Sequence, residues 1–342
     1  MSTYTPPEPA SAPPAATSTA DSCYPTFTAA LIQLNCQADL QHNLRQATTL
    51  IRQAAAAGAK LICTPENTTR LTALSQPFDI QRDGHYESDH PIIPEYRRLA
   101  AELGVWLAIG SVSVRAEDDA NKMANRSLLI APHTAADRPT LGTVVARYDK
   151  VHMFDAPSLS DSSNDTYVES ARIRPGRSVP VVLTPFGPVA LTVCYDMRFP
   201  TLYSRLATLH SPTILLVPSA FTVPTGQAHW EPLLRARAIE CGCYVLAAAQ
   251  CGEHTGGRRT YGHSICVGPW GDVVAVRQEA SEGVLLVEID RRKVEEARKR
   301  IPSLSNQREF DVVLVDARSG QVESGDKAEP REEKSATTPS AL

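Results

Sequence analysis

Short apolar runs alternate with amphipathic stretches between Phe27 and Arg300, and several of the runs come in pairs joined by tight Pro/Gly turns. This mixture constrains the fold more than any other feature. Helix-linked runs predict parallel strand pairs, and tightly turned runs predict antiparallel ones. Together they predict an α/β chain of two sheets packed face to face, with helices outside.

Residues 27–33 read as a strand and 42–57 as a helix, with Leu44, Ala47, Ile51 and Ala54 on one face and Gly58 past its end. Strand 61–64, helix 94–103 stopped by Gly104, and strand 105–114 follow. Three hairpin-type pairs are expected: 126–131 with 143–148, 179–184 with 189–193, and 265–267 with 273–276. Helices are expected at 201–209, 230–242 and 291–300, and strands at 214–217, 244–249 and 285–289. No GxGxxG fingerprint accompanies any strand, so a dinucleotide site is unsupported.

The chain has 342 residues, is 42% hydrophobic and 21% charged, and carries a formal charge of −4. That mild acidity, with no Lys/Arg cluster, argues against a nucleic-acid partner. No apolar run approaches the ~20 residues of a membrane span. The eight cysteines are scattered, and the one close pair, Cys241 and Cys243, lacks zinc-site spacing. They read as reduced thiols of a cytoplasmic protein, with no metal and no cofactor expected. Residues 1–25 are rich in Pro, Ser, Thr and Ala, and 317–342 in Glu, Lys, Ser and Pro. Both read as disordered tails around one domain at 26–316.

Three apolar runs each end on a residue with chemistry. Leu61-Ile62-Cys63 leads to Glu66, Val144-Val145-Ala146 to Lys150, and the run 189–193 to Cys194. In α/β sheets, side chains just past strand ends converge on sites. Cys194 stands between a buried strand and a helix that opens at Pro200, which is a nucleophile-elbow arrangement. Taken alone, a cysteine at a strand end is most often a small buried hydrophobe. A reactive one needs a base or cation nearby, and Glu66 and Lys150 are candidates for both.

The segments Lys150-Val151-His152-Met153-Phe154-Asp155 and Cys194-Tyr195-Asp196-Met197-Arg198-Phe199-Pro200, with 218–221, 225–231 and 235–240, resemble the nitrilase superfamily of carbon–nitrogen hydrolases. The resemblance runs from Phe27 to Asp316. Segments 247–252, 261–264 and 269–271 make it closest to the amidase branch that holds deaminated glutathione amidase, ahead of omega-amidase. It implies a four-layer α-β-β-α sandwich and a Glu–Lys–Cys triad. Cys194 is then the nucleophile that forms a thioester, Glu66 the general base, and Lys150 the oxyanion stabiliser with the Tyr195 backbone N–H. A second glutamate is expected at Glu169, with Glu231 as its rival in a first helical turn.

Arg198, four residues past Cys194, suits a substrate carboxylate; the competing role is an ion pair with Asp196 or Glu240. Phe221 and Thr225 would line the same pocket by resemblance. His229 and His263 sit in turns and read as structural, and Arg235, Arg237 and Glu240 as ion-paired architecture. The resemblance therefore implies an amidase for a small carboxylate-bearing amide. It acts on deaminated glutathione or 2-oxoglutaramate and assembles as a homodimer through the helix after Cys194. A partner-binding scaffold is the contrasting reading, and it has no need of all three triad residues.

Overall fold

The structure is a computed structural model that describes residues 25–73, 79–132, 141–156, 167–316, 318 and 322–324. The chain divides into two compact units, Met1–Ile301 and Pro302–Leu342.

In the first unit, β1 (Thr26–Gln33) is buried on both faces from Ala29 onward, as befits a strand inside a covered sheet. Helix α1 (Leu40–Ala56) is capped by Asp39, whose carboxylate accepts the N–H groups of Gln41 and His42 at 2.8 and 3.1 Å. Its buried stripe is Asn43, Ala47, Ile51 and Ala54, and Gly58 follows at φ +90°. After β2 (Leu61–Cys63) come the short α2 (Ile80–Asp83) and α3 (Ile93–Leu103), which ends on left-handed Gly104. Strands β3 (Trp106–Arg115), β4 (Met123–Ala131) and β5 (Thr143–Asp149) form an antiparallel meander. The short β6 (Asp155–Ala156) and β7 (Tyr167–Val168) pair with each other.

The second half opens with the hairpin of β8 (Val181–Thr184) and β9 (Gly187–Leu191). Helix α4 (Pro200–His210) leads to β10 (Ile214–Leu216), and α5 (Val223–Cys241) to β11 (Tyr244–Ala247). Strands β9, β10 and β11 are parallel, as helix-linked strands must be. A small hairpin, β12 (Cys251–Glu253) and β13 (Arg259–Tyr261), precedes β14 (Ile265–Val267) and β15 (Val273–Val276). Strand β16 (Gly283–Asp290) then returns to pair with β1, and α6 (Arg292–Arg300) closes the unit.

Two six-stranded sheets result, ordered β16-β1-β2-β3-β4-β5 and β15-β14-β11-β10-β9-β8. Helices α1 and α3 cover one face of the first sheet over Ala30, Ile32, Ile51, Tyr96 and Leu99. Helices α4 and α5 cover the second through Tyr203, Leu206, Leu234 and Ala238. The uncovered faces meet, which makes the α-β-β-α sandwich. Their approach is close at Gly110, where a Cβ would stand 2.1 Å from Thr64 O and 2.5 Å from Pro218 Cβ.

Two expectations are corrected. Helix α5 begins at Val223, seven residues before Trp230, because Pro224 is tolerated in the first turn while Pro232 and Gly226 blur the apolar period. Gly226 is required there: a Cβ would lie 2.2 Å from the Tyr261 ring. The β12–β13 hairpin was not anticipated, since its strands are three residues long and lack alternation.

In the second unit, β17 (Val313–Val315) pairs antiparallel with β18 (Val322–Ser324). The expected tail boundary at 316/317 runs through this pair. Of the expected tail 1–25, residues 1–24 lie outside the described residues.

Candidate active site

Glu66, Lys150 and Cys194 each hang just past a strand end. The ladder between β9 and β10 continues beyond Leu191, with Thr192 N donating to Leu216 O at 3.1 Å and Cys194 N to Pro218 O at 2.9 Å. The chain then turns sharply. Cys194 has φ +49°, a left-handed conformation that is strained for a side-chain-bearing residue, and it opens a 3-10 turn over Cys194–Arg198. Pro200 takes the first turn of α4, where its missing N–H costs nothing.

The turn is braced by Asp196, which is wholly buried. Its carboxylate accepts Val193 N at 2.8 Å, Tyr148 Oη at 2.6 Å, His152 N at 3.1 Å and His152 Nδ1 at 2.8 Å. Tyr148 and His152 flank Lys150, so one carboxylate ties the Lys150 segment to the Cys194 turn. His152 also stacks on Phe199, with centroids 3.6 Å apart.

Glu66 follows β2 in a bend where Asn67 has φ +58°. Asn67 N donates to Ser111 Oγ at 2.8 Å, and Gln250 Nε2 donates to Glu66 O at 2.9 Å. The Glu66 carboxylate, 3% exposed, accepts Asn125 Nδ2 at 2.9 Å, Lys150 Nζ at 3.1 Å and Ala220 N at 3.0 Å. The Cys194 thiol lines the cleft within the field of the same carboxylate. Lys150 follows β5 and donates also to Glu169 Oε1 and Oε2, at 3.0 and 2.8 Å. Glu169 is held in turn by Phe154 N at 2.7 Å.

Three opposing effects set the protonation states. Burial alone would raise the Glu66 carboxyl, but the adjacent Lys150 ammonium and its hydrogen bond hold it below the ordinary carboxylate range. Burial pushes the Cys194 thiol well up and the Glu66 charge pushes it further, against the pull of Lys150. Burial would lower Lys150, yet Glu169 and Glu66 raise it well above its usual value. The resting site is therefore a neutral thiol facing a carboxylate and an ammonium.

These groups line a cleft of about 210 Å³. Tyr195, Arg198, Phe221 and Thr225 line it too, as do the exposed Val168 and Arg172. Arg198 pairs with neither Asp196 nor Glu240. Its guanidinium lies over the Phe221 ring at 5.3 Å and meets His229 Nδ1 at 3.2 Å. Glu240 is bonded to Arg237 instead. Glu231 stands on the exposed side of α5 beside Arg235 and does not line the cleft. His263 carries a backbone contact to Tyr261 O and accepts Trp230 Nε1 on its own carbonyl. Among the described residues no His/Cys/Asp/Glu group could hold a metal ion, and no helix is long and apolar enough to cross a membrane.

Sequence reasoning missed Asn125, Gln250 and Arg258. Asn125 lies mid-strand in β4, where only burial of a polar side chain marks it. Gln250 and Arg258 lie on or beside the unanticipated hairpin.

The carbon–nitrogen hydrolase family model matches residues 28–299. The chain belongs to the carbon–nitrogen hydrolase family. A deaminated glutathione amidase of Yersinia enterocolitica is 38% identical over 279 residues, 82% of this chain and 92% of that protein. Among solved structures, the C. elegans NitFhit protein superposes with a TM-score of 0.72 at 34% identity over 83% of this chain, which spans 65% of that one. An amidase mutant from Nesterenkonia sp. AN1 gives 0.62 at 25% identity, covering 82% of this chain and 95% of that one. Its active-site cysteine carries the acetamide moiety of fluoroacetamide by covalent addition. This chain is accordingly an amidase of C–N bonds with an α-β-β-α carbon–nitrogen hydrolase fold.

Proposed function

We propose that this amidase hydrolyses deaminated glutathione to 2-oxoglutarate and cysteinylglycine through a thioester on Cys194. The observation that carries the chemistry is one buried carboxylate, Glu66, bonded to the Lys150 ammonium and acting through its charge on the Cys194 thiol. The substrate rests on the likeness to deaminated glutathione amidases over four fifths of the chain.

Glu66 takes the thiol proton as sulfur attacks the amide carbonyl. The oxyanion forms against Lys150 Nζ and the Tyr195 backbone N–H. Collapse breaks the C–N bond, and Glu66 gives its proton to the departing nitrogen. Water, deprotonated by Glu66, then attacks the thioester, releases 2-oxoglutarate and restores the thiol. Glu169 keeps the ammonium oriented through two hydrogen bonds. Arg198, with Phe221 and Thr225, holds the 2-oxo acid end. The dimer forms through α4, and the free, buried cysteines fit a reducing cytoplasm.

Mass-spectrometric turnover of deaminated glutathione beside 2-oxoglutaramate, with Cys194→Ala as control, tests the reading. Preference for 2-oxoglutaramate would move the chain to the omega-amidase reaction with the same triad. Turnover of neither by the folded protein would remove both substrates and send the search to other amides, with the hydrolase class standing. Light scattering that gives a monomer at micromolar protein would reject the dimer.

A further inference from the structure

Arg258 lines the cleft but has no part in the steps above. It leaves the turn of the β12–β13 hairpin, and that hairpin is locked in place. His254 contacts Cys36 O and Thr260 Oγ1, each at 2.7 Å. Ala73 N donates to Thr255 O at 2.9 Å, and Tyr261 N to Phe221 O at 2.9 Å. The framework, rather than a carboxylate partner, fixes Arg258. Among the described residues its recorded hydrogen bond is a long one, Nη2 to Ala220 O at 3.4 Å. Its Nε is buried without an acceptor. A guanidinium fork held this way, with donors to spare, suits an anion.

Ala220 fixes where that anion would lie. Its N–H donates to Glu66 Oε2 at 3.0 Å while its carbonyl faces Arg258. Glu66 is the group that hands the proton to the departing nitrogen, so Arg258 stands one residue beyond the leaving-group nitrogen. Arg198 sits on another flank, against Tyr195, Phe221 and His229. The proposed substrate has a carboxylate at each end. Two extended residues reach about 7 Å, and Arg258, beside Ala220, is near enough to Glu66 for its charge to act on that carboxylate.

We infer that Arg258 anchors the terminal carboxylate of the departing cysteinylglycine, so that the cleft selects amides whose leaving group is itself an anion. This rests on the deaminated glutathione reading. The test is kcat/KM for deaminated glutathione, for its terminal carboxamide and for 2-oxoglutaramate, on wild type, Arg258→Gln and Arg258→Lys.

Wild type should prefer the free acid to the carboxamide by about 10- to 100-fold, the size of a charged hydrogen-bond pair. Arg258→Gln should collapse that ratio to within about threefold, and Arg258→Lys should keep part of it. Both substrates are compared on one preparation, so partial misfolding cancels from the ratio. A ratio that survives in Arg258→Gln, or a wild type indifferent to the carboxamide, overturns the assignment and leaves the function reading standing. A wild type that cleaves 2-oxoglutaramate and neither tripeptide analogue overturns both.

Discussion

Asp196→Asn is the most informative single change outside the triad. The carboxylate receives two donors on each oxygen: His152 N and Nδ1 on Oδ1, Tyr148 Oη and Val193 N on Oδ2. An amide turns one of those oxygens into an NH2 donor. Whichever way it points, it confronts a backbone N–H, either His152 or Val193, and leaves that group buried and unpaired. One orphaned donor costs about 1–3 kcal/mol, and the surviving bonds lose their charge assistance. A total near 3 kcal/mol follows, which lowers Tm by roughly 6–12 °C at the sensitivity of a domain of this order of size. The catalytic effect is separate. Tyr148 and His152 bracket Lys150, and Asp196 is two residues past Cys194, so relaxation moves the ammonium relative to the sulfur. A displacement of ~1 Å costs about 100-fold. The assay is kcat and KM at a temperature where circular dichroism shows the variant fully folded, beside a thermal melt. A variant with kcat within threefold of wild type would refute the positioning argument, even if its Tm falls.

Other outcomes are equally concrete. Glu66→Gln removes the charge that raises the Cys194 thiol while Lys150 remains, so the pH midpoint of Cys194 alkylation should shift down as turnover is lost; an unmoved midpoint contradicts the assigned cause. Gly110→Ala forces a methyl into Thr64 O and Pro218, so a loss of about 1–3 kcal/mol or more in urea melts and a tenfold or greater fall in kcat are expected; wild-type behaviour would mean that the two sheets separate freely there. Arg198→Lys should raise KM for acidic amides more than for neutral ones, and an equal effect on both counts against a carboxylate clamp. Burial pushes His90 and His254 down to about 4 each, below their unfolded value near 6.5. The unfolded chain then binds more protons, so stability is complete above about pH 6.5 and falls toward pH 4, by up to about 3 kcal/mol per histidine. Urea melts that are flat from pH 7 to 4.5 would refute this.

Strand positions were legible because short apolar runs with turn residues between them leave few alternatives, and the β4–β5, β8–β9 and β14–β15 pairings follow from them. The convergence of Glu66, Lys150 and Cys194 was legible for the same reason, since each follows such a run. Less legible was anything set by tertiary contact. The start of α5 is fixed by Gly226 packing on Tyr261, which no local period reports. Asn125 matters because its amide reaches Glu66 from mid-strand, at a position where the pattern shows only an interruption. Arg258 depends on a hairpin held by His254 and Thr255, whose partners at Cys36 and Ala73 lie far away in sequence.

The seam between the sheets has a consequence for the newly made chain. Glu66 and Lys150 extend from strands of one sheet, Cys194 and Ala220 from strands of the other. Neither sheet alone brings the Glu66 carboxylate to the Cys194 sulfur. Until the two faces close, Cys194 has neither Glu66 nor Lys150 beside it. Appearance of amidase activity during refolding should therefore lag behind the recovery of secondary structure and coincide with the final closure. The same arrangement withholds both charged neighbours from the proposed nucleophile in every partly folded form of the protein.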